Sequence, residues 1–544
     1  MVDTAKPKNK ISKTPKARAA HSVLATFFSG VFFLTLSNFL TKLCGLFLKV
    51  PLTNTLGDSG MAYFNLAYAV YKWFYMISTA GLPVAAAVLC AECAAEKDPI
   101  IRSASLLRIR RIILSLFSLL GLIGALIIFF ASPLFAHLQG APYAAAAIAA
   151  TAPALFCICI VSALRGYYQG LSELLPASIS QVVEAGAKMG FGLLFAAYAT
   201  QKGLPLYLIA AYAIGGLGVG SFLGMLIMLA FLPRISKKAG IIAHTRQPKP
   251  QTEEHFAKRL WRIAIPVTLA ASVLSLSDML DSMTVIRRLI YGGIDSSEAL
   301  RLYGNYTALA VPMFNLPPIL IYPVTTALIP ILTSTFTKAN KAEFHAFAKT
   351  ALSVTMLIAM PCAAGMSALS EPILRLFFRA DLAATGAPLL RVLALGIVFL
   401  SLLAMSNAIL QATGYAKLPV YAMIAGAVVK FIASFILCAI PEINIYGSPI
   451  STVLCYAVMA ICNLIFVIWK TKANLSVSAC IKPALASVVC ALCALCVYHL
   501  LLPHAAHSIV TLTAIGVAAI VYLLILWGIG GLRELQIFLR TFKK

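Results

Sequence analysis

Apolar runs long enough to cross a bilayer follow one another from Val23 to Gly530, and this succession constrains the fold more than any other feature of the chain. Fourteen can be read, near 23–48, 63–91, 112–132, 142–164, 177–200, 205–232, 262–286, 303–332, 347–370, 385–411, 417–440, 447–470, 477–502 and 506–530. Hydrocarbon offers a bare backbone no hydrogen-bond partner, so only helices or closed barrels span it. These runs lack the alternation of a barrel strand. The expectation is an all-α integral membrane protein with about 14 transmembrane helices. A composition 61% hydrophobic and 11% charged excludes an ordinary soluble globule. The first run has full span length, carries Lys42 and lacks a small-residue cleavage site, so it reads as a helix rather than a removable signal peptide.

The chain also repeats itself. Ser37-Asn38-Phe39-Leu40 recurs 240 residues later as Ser277-Asp278-Met279-Leu280, Tyr63 and Asn65 as Tyr303 and Asn305, and Pro83-Val84 as Pro323-Val324. At an offset of 242, Gln169 matches Gln411 and Lys188 matches Lys430. Duplicated membrane halves of this kind meet around a central site that opens to either side. The predicted organisation is a basic cytoplasmic tail (1–20), a first lobe of six helices (21–232), a cytoplasmic linker (233–261), a pseudo-symmetric second lobe of six helices (262–470), and two appended helices with a cytoplasmic tail (471–544). Mixed charge with Pro248 and Pro250 makes the linker a flexible tether with an amphipathic end near Phe256–Trp261.

The net charge of +25 could suggest nucleic acid, but its distribution argues otherwise. Most of the 43 lysines and arginines fall in the N-terminal tail, alternate loops and the C-terminal tail. That is the positive-inside pattern, and it places both termini in the cytoplasm. The 13 cysteines lie nearly all within predicted helices, without the His or second Cys pair of a zinc site, and read as small packing residues. Two spans are punctuated: Gly81-Leu82-Pro83 interrupts the second run, and Pro312, Pro317, Pro318 and Pro323 interrupt the eighth. Such breaks serve as hinges or line a cavity, or are kinks for packing.

A charge near the middle of a membrane helix costs about 2.5–3.5 kcal/mol on insertion scales, so each one needs a reason. Asn38, Lys42 and Lys49 share one face of the first helix, and Lys72 sits on the second. A cationic stripe avoids lipid and faces the interior, where phosphate is a fitting partner; snorkelling of Lys49 to the headgroups is the alternative. Asp278 and Asp281 share a face of the seventh helix. They are candidates for coupling to a proton or cation, or for permanent pairing with Lys42 or with Arg287 and Arg288. Glu184 and Lys188, at i and i+4, read as a structural ion pair. Lys430, the repeat mate of Lys188, has no acid four residues before it, and its partner stays open.

No phosphate-cradling Gly-rich loop, His-Glu-x-x-His or nucleophile elbow is present, so neither ATP hydrolysis nor bond-making is expected. No metal and no cofactor is called for. Energy would come from a proton, a monovalent cation or the membrane potential.

Several segments resemble the multidrug/oligosaccharidyl-lipid/polysaccharide (MOP) exporter superfamily, in particular its stage V sporulation protein B-like polysaccharide exporters and MurJ-like lipid II flippases. They are Lys49-Val-Pro-Leu-Thr-Asn54 with Leu56-Gly-Asp58, Ser78-Thr-Ala-Gly-Leu-Pro83, Arg165-Gly-Tyr-Tyr-Gln-Gly170, Ile179-Ser-Gln-Val-Val-Glu184, Asp281 with Val285-Ile-Arg-Arg-Leu289, and Ile443-Asn-Ile-Tyr-Gly447. The resemblance runs from about residue 25 to 530. It implies two six-helix lobes forming a V-shaped cavity with alternating access, and an undecaprenyl-diphosphate-linked sugar as substrate. It also implies that basic residues of the first helix, at or within a residue of Lys42 and Lys49, line the cavity. The flippase branch has an arginine before a proline in the eighth helix, whereas Asn305-Tyr-Thr-Ala-Leu-Ala-Val-Pro312 has none.

The resulting expectation is a flippase in the cytoplasmic membrane of a bacterium, moving lipid II or a related lipid-linked oligosaccharide. Lys42, Lys49, Lys72 and Asn38 would meet the diphosphate, and Asp278 and Asp281 would couple or balance that charge. Gly81, Pro83, Pro317, Pro318 and Pro323 would act as hinges. Partners would be the lipid-linked glycan, membrane lipids and cell-wall synthesis enzymes, with no nucleic acid. The rivals are a cation-coupled multidrug exporter, which expects an acidic aromatic cavity, and a non-transporting scaffold for a glycan-synthesis complex.

Overall fold

A computed structural model describes residues 15–240, 253–337, 341–472 and 478–531, and among these the fold is helical with no strand. The first half comprises α1 (Pro15–Thr79), α2 (Gly81–Ala94), α3 (Pro99–Leu138), the short α4 (Ala145–Ala149), α5 (Ala152–Gly170), α6 (Leu175–Gln201) and α7 (Leu206–Lys238). The second half begins with α8 (Glu253–Tyr291) and α9 (Ser296–Asn305), continues through a π-helical turn (Tyr306–Ala310) into α10 (Val311–Phe314), and resumes with α11 (Pro318–Thr337). It is completed by α12 (Lys341–Ala368), α13 (Ser370–Phe377), α14 (Ala380–Ala394), α15 (Gly396–Ala412), α16 (Leu418–Leu437) and α17 (Gly447–Thr471), after which α18 (Ser478–Leu501) and α19 (His507–Gly528) follow.

Ten helical segments among the described residues are long and apolar enough to cross a membrane, or up to 12 if each of two bent pairs is one span. The longest, Leu36–Ala94, has 59 residues. At 1.5 Å per residue it would stretch roughly 90 Å, about three times the hydrocarbon thickness. Gly57 resolves this excess. Its φ of 67° breaks the helix, and Lys49 Nζ then comes within 3.5 Å of Asn65 Oδ1, which a straight helix would hold roughly 24 Å away. The chain therefore reverses at Gly57 and crosses twice. Among the described residues the fourteen apolar runs fall largely on helix, and the eighth is broken between α9 and α11.

The two halves touch at both ends of the second arm of α1. At one end an ideal Cβ on Gly81 would stand 2.2 Å from Ala264 O and 2.4 Å from Thr268 Oγ1. At the other, a Cβ on Gly304 would stand 2.0 Å from Asp58 O. Only glycine admits such an approach. Polar clasps accompany both contacts: Glu92 with Arg259 at 2.8 Å, and the Asn54 amide with Phe377 O at 3.0 Å and the Arg379 N–H at 3.1 Å. Helices α18 and α19 pack on α12, where the Tyr522 hydroxyl donates to Leu357 O.

Three expectations change. Residues 241–252 of the linker, with Pro248 and Pro250, lie outside the described residues, but its flanks are helical, being the end of α7 and the beginning of α8, the latter anchored through Arg259. Pro323 does not interrupt a helix: α11 runs unbroken from Pro318 to Thr337. The real break lies at 315–317, so Pro317 ends it and Pro318 opens the helix that follows. At the other candidate hinge the break falls at Ala80, Pro83 occupies the first turn of α2, where its missing N–H costs nothing, and Gly81 is pressed against α8.

Candidate functional site

Between the halves lies a cavity of about 670 Å³. The first arm of α1 supplies Lys42 and Lys49, and the returning arm supplies Asn65, Tyr68 and Lys72. From the second half, α8 contributes Asp278 and Asp281, and α16 contributes Lys430. The broken segment around Pro312 and Pro318 lines it too, so the interrupted helix ends where the cavity is. Asn38, one turn before Lys42, is exposed and is not among the lining residues, so the structure does not bring it to the lysines it shares a helix face with.

The charges are ordered into a chain. Lys72 Nζ lies 2.7 Å from Asp278 Oδ2, which joins the first half to the second. Lys430 Nζ lies 3.1 Å from Asp278 Oδ1 and 2.7 Å from Asp281 Oδ2. The partners of the aspartates are therefore Lys72 and Lys430. The pairing considered with Arg287 and Arg288 is not found: Arg287 donates to His137 O at 2.7 Å, and Arg288 to Phe435 O at 2.9 Å while stacking on the Phe435 ring. Lys42 is likewise not an ion-pair partner of either aspartate among the described contacts. Lys49 instead makes its long contact with Asn65, whose amide donates to Thr307 Oγ1 of the second half at 3.2 Å. Counted formally, four lining lysines stand against two aspartates, an excess of two positive charges.

The pair Glu184 and Lys188 forms as expected at 2.6 Å, and Arg165 joins it from α5 at 2.9 Å. Glu184 is only 5% exposed, and this cluster lies within the first half, apart from the cavity lining. Sequence reasoning underrated Lys430. The signal was present: a charge in a membrane helix without an acid one turn before it must find its partner on another helix. Arg165 and the Asn65–Thr307 bond carried no local signal.

The polysaccharide biosynthesis protein family matches residues 27–336, more than half of the chain. The chain belongs to that family. A second family, MatE, matches residues 266–436. Among curated relatives from Bacillus subtilis, the uncharacterized membrane protein YabM is 26% identical, over 80% of this chain and 79% of its own length. Lipid II flippase MurJ is 24% identical (78% of this chain, 80% of its own), and stage V sporulation protein B is 24% identical (79% and 81%). A solved structure of lipid II flippase MurJ in an inward closed conformation superposes with a TM-score of 0.64 at 17% identity, covering 94% of this chain and all of that one. This family member is thus a multi-pass membrane protein with the fold of the MOP-superfamily transporters.

Proposed function

We propose that the chain is a flippase that carries a lipid-linked glycan, through its diphosphate, across the membrane by alternating access between the two halves. The observation that carries this reading is the sign of the cavity. Its lining holds Lys42, Lys49, Lys72 and Lys430 against Asp278 and Asp281, a formal excess of two positive charges. A diphosphate diester, with one negative charge per phosphate, complements that excess. Tyr68, Tyr303, Tyr306 and Tyr456 line the same space and offer hydroxyls and ring faces suited to sugars. A drug exporter selecting cations would need a net acidic cavity, and this one is net basic. The relatives that flip lipid II or act in sporulation give the reading its substrate class, a lipid-linked cell-wall precursor in a bacterial cytoplasmic membrane. Both termini would then face the cytoplasm, following the positive-inside pattern.

The test is transbilayer movement of a fluorescent lipid-diphosphate sugar in vesicles holding the purified protein. Wild type should move it, and should leave a lipid monophosphate or a cationic drug behind. Lys42→Ala and Lys49→Ala each remove a charge-assisted contact, which corresponds to a loss on the order of tenfold to a hundredfold in substrate affinity. Full flipping by the double variant would end the cationic-site reading. Pumping of a cationic drug would favour the exporter instead.

A further inference from the structure

In the second half, the acid pair of α8 is the natural place for a coupling cation. The structure puts a lysine there. Lys430 Nζ sits within hydrogen-bonding distance of both Asp278 and Asp281, and its side chain is 9% exposed. The repeat explains how this arose in physical terms. Lys188 finds its acid four residues earlier, at Glu184. The equivalent position before Lys430 is Gly426, where even a Cβ would stand 2.4 Å from Met459 Cγ and 2.9 Å from Cys455 O. No acid fits at that position, and Lys430 reaches across to α8. The acid site is not saturated by that contact. Asp281 is 7% exposed, and its Oδ1 is buried without a hydrogen-bond partner, so oxygen that could ligate a cation is left over beside the ammonium.

We propose that Lys430 is a tethered counter-cation: its ammonium occupies the site that Asp278 and Asp281 would otherwise offer to a monovalent metal ion, so this half of the protein takes up no sodium during its cycle. The charge that other arrangements would recruit from solution is here supplied covalently. The inference deepens the flippase reading, because it concerns how the same cavity is energised, but its decisive measurement needs no lipid substrate.

That measurement is equilibrium binding of radioactive sodium to the purified full-length protein. Wild type should bind none saturably. Lys430→Met keeps the length of the stem and removes the charge, and should gain one saturable sodium per chain. The double change Lys430→Met with Asp281→Asn should lose it again. If Lys430→Met does not stay monodisperse, Lys430→Gln, which keeps a donor for the acids, takes its place. Saturable sodium binding by wild type that Asp281→Asn abolishes would overturn the proposal, and so would a monodisperse Lys430 variant that binds none. In vesicles, wild-type flipping should proceed equally in sodium and in choline. An absence of flipping alongside the expected binding results would count against the flippase reading alone.

Discussion

The ion cluster of the first half and that of the second are built on equivalent helices, yet they are wired differently. In the first, Glu184 and Lys188 share α6 and close on each other, with Arg165 alongside, inside a single lobe. In the second, the acid has moved from the fifth helix of the repeat to its first. Asp278 and Asp281 stand where the first half has Asn38 and Thr41, and Lys430 must bridge between helices to meet them. Once the acid sits on α8 it also faces the other lobe, and Asp278 takes Lys72. Moving the acid from the fifth helix of the repeat to its first thus converts an internal staple into a link between lobes. The mate of Lys42 shows the same divergence: Ser282 is fully buried and accepts a hydrogen bond from Gln139 at 2.9 Å, while Lys42 lines the cavity.

If the first cluster is a staple, Glu184→Gln should give the largest effect on stability. It leaves the largely covered Arg165 and Lys188 around a neutral side chain, a loss of about 3 kcal/mol, visible as a lower thermal unfolding midpoint. Flipping per folded molecule should be unchanged; a selective loss of transport at normal stability would make the two clusters functionally alike and break the comparison. Next comes the glycine that keeps an acid off α16. Gly426→Ala should cost about 1–3 kcal/mol through overpacking against Met459 and Cys455, whereas Gly186→Ala on α6, with nothing within 4 Å of its Cβ, should not destabilise. Equal midpoints for the two would show that α16 has room for an acid after all. The smallest effect belongs to the bridge between lobes. Lys72 and Asp278 are 42% and 40% exposed, and Lys430 keeps Asp281, so Asp278→Asn should change stability by no more than about 1 kcal/mol. Its readout is the distance between lobes, followed by a pair of spin labels, which should shift toward separated lobes without unfolding.

The sequence carried the parts of this molecule that obey local rules. Long apolar runs give spans because hydrocarbon forbids unsatisfied backbone, and Glu184 with Lys188 follows from helical spacing alone. Lys42 and Lys49 were legible as cavity residues for the same reason, a charge in a membrane helix having few places to go. The partner of Lys430 was hidden because Asp278 lies 152 residues away and on another helix. The reversal at Gly57 falls between the first two apolar runs, 23–48 and 63–91, where the sequence called for a turn but did not single out the residue that makes it. Pro323 misled in the opposite sense: proline predicts a break, yet α11 carries it without one. Asn38 shares a helical face with Lys42, and the cavity simply does not extend to it.

The glycine contacts at the two ends of the returning arm of α1 bear on how the halves can part. Gly81 meets Ala264 and Gly304 meets Asp58, some 23 residues apart along that arm, or roughly 35 Å at 1.5 Å per residue. At both seams backbone comes close to backbone, with Thr268 Oγ1 beside Gly81 and the Glu92–Arg259 and Asn54–Arg379 clasps alongside. Under the alternating access proposed above, a tilt about one seam would open the other once the clasp beside it lets go, in the manner of a rocker resting on one edge at a time. The gap so formed would be walled largely by peptide groups, and closing it would need the clasp beside it to re-form.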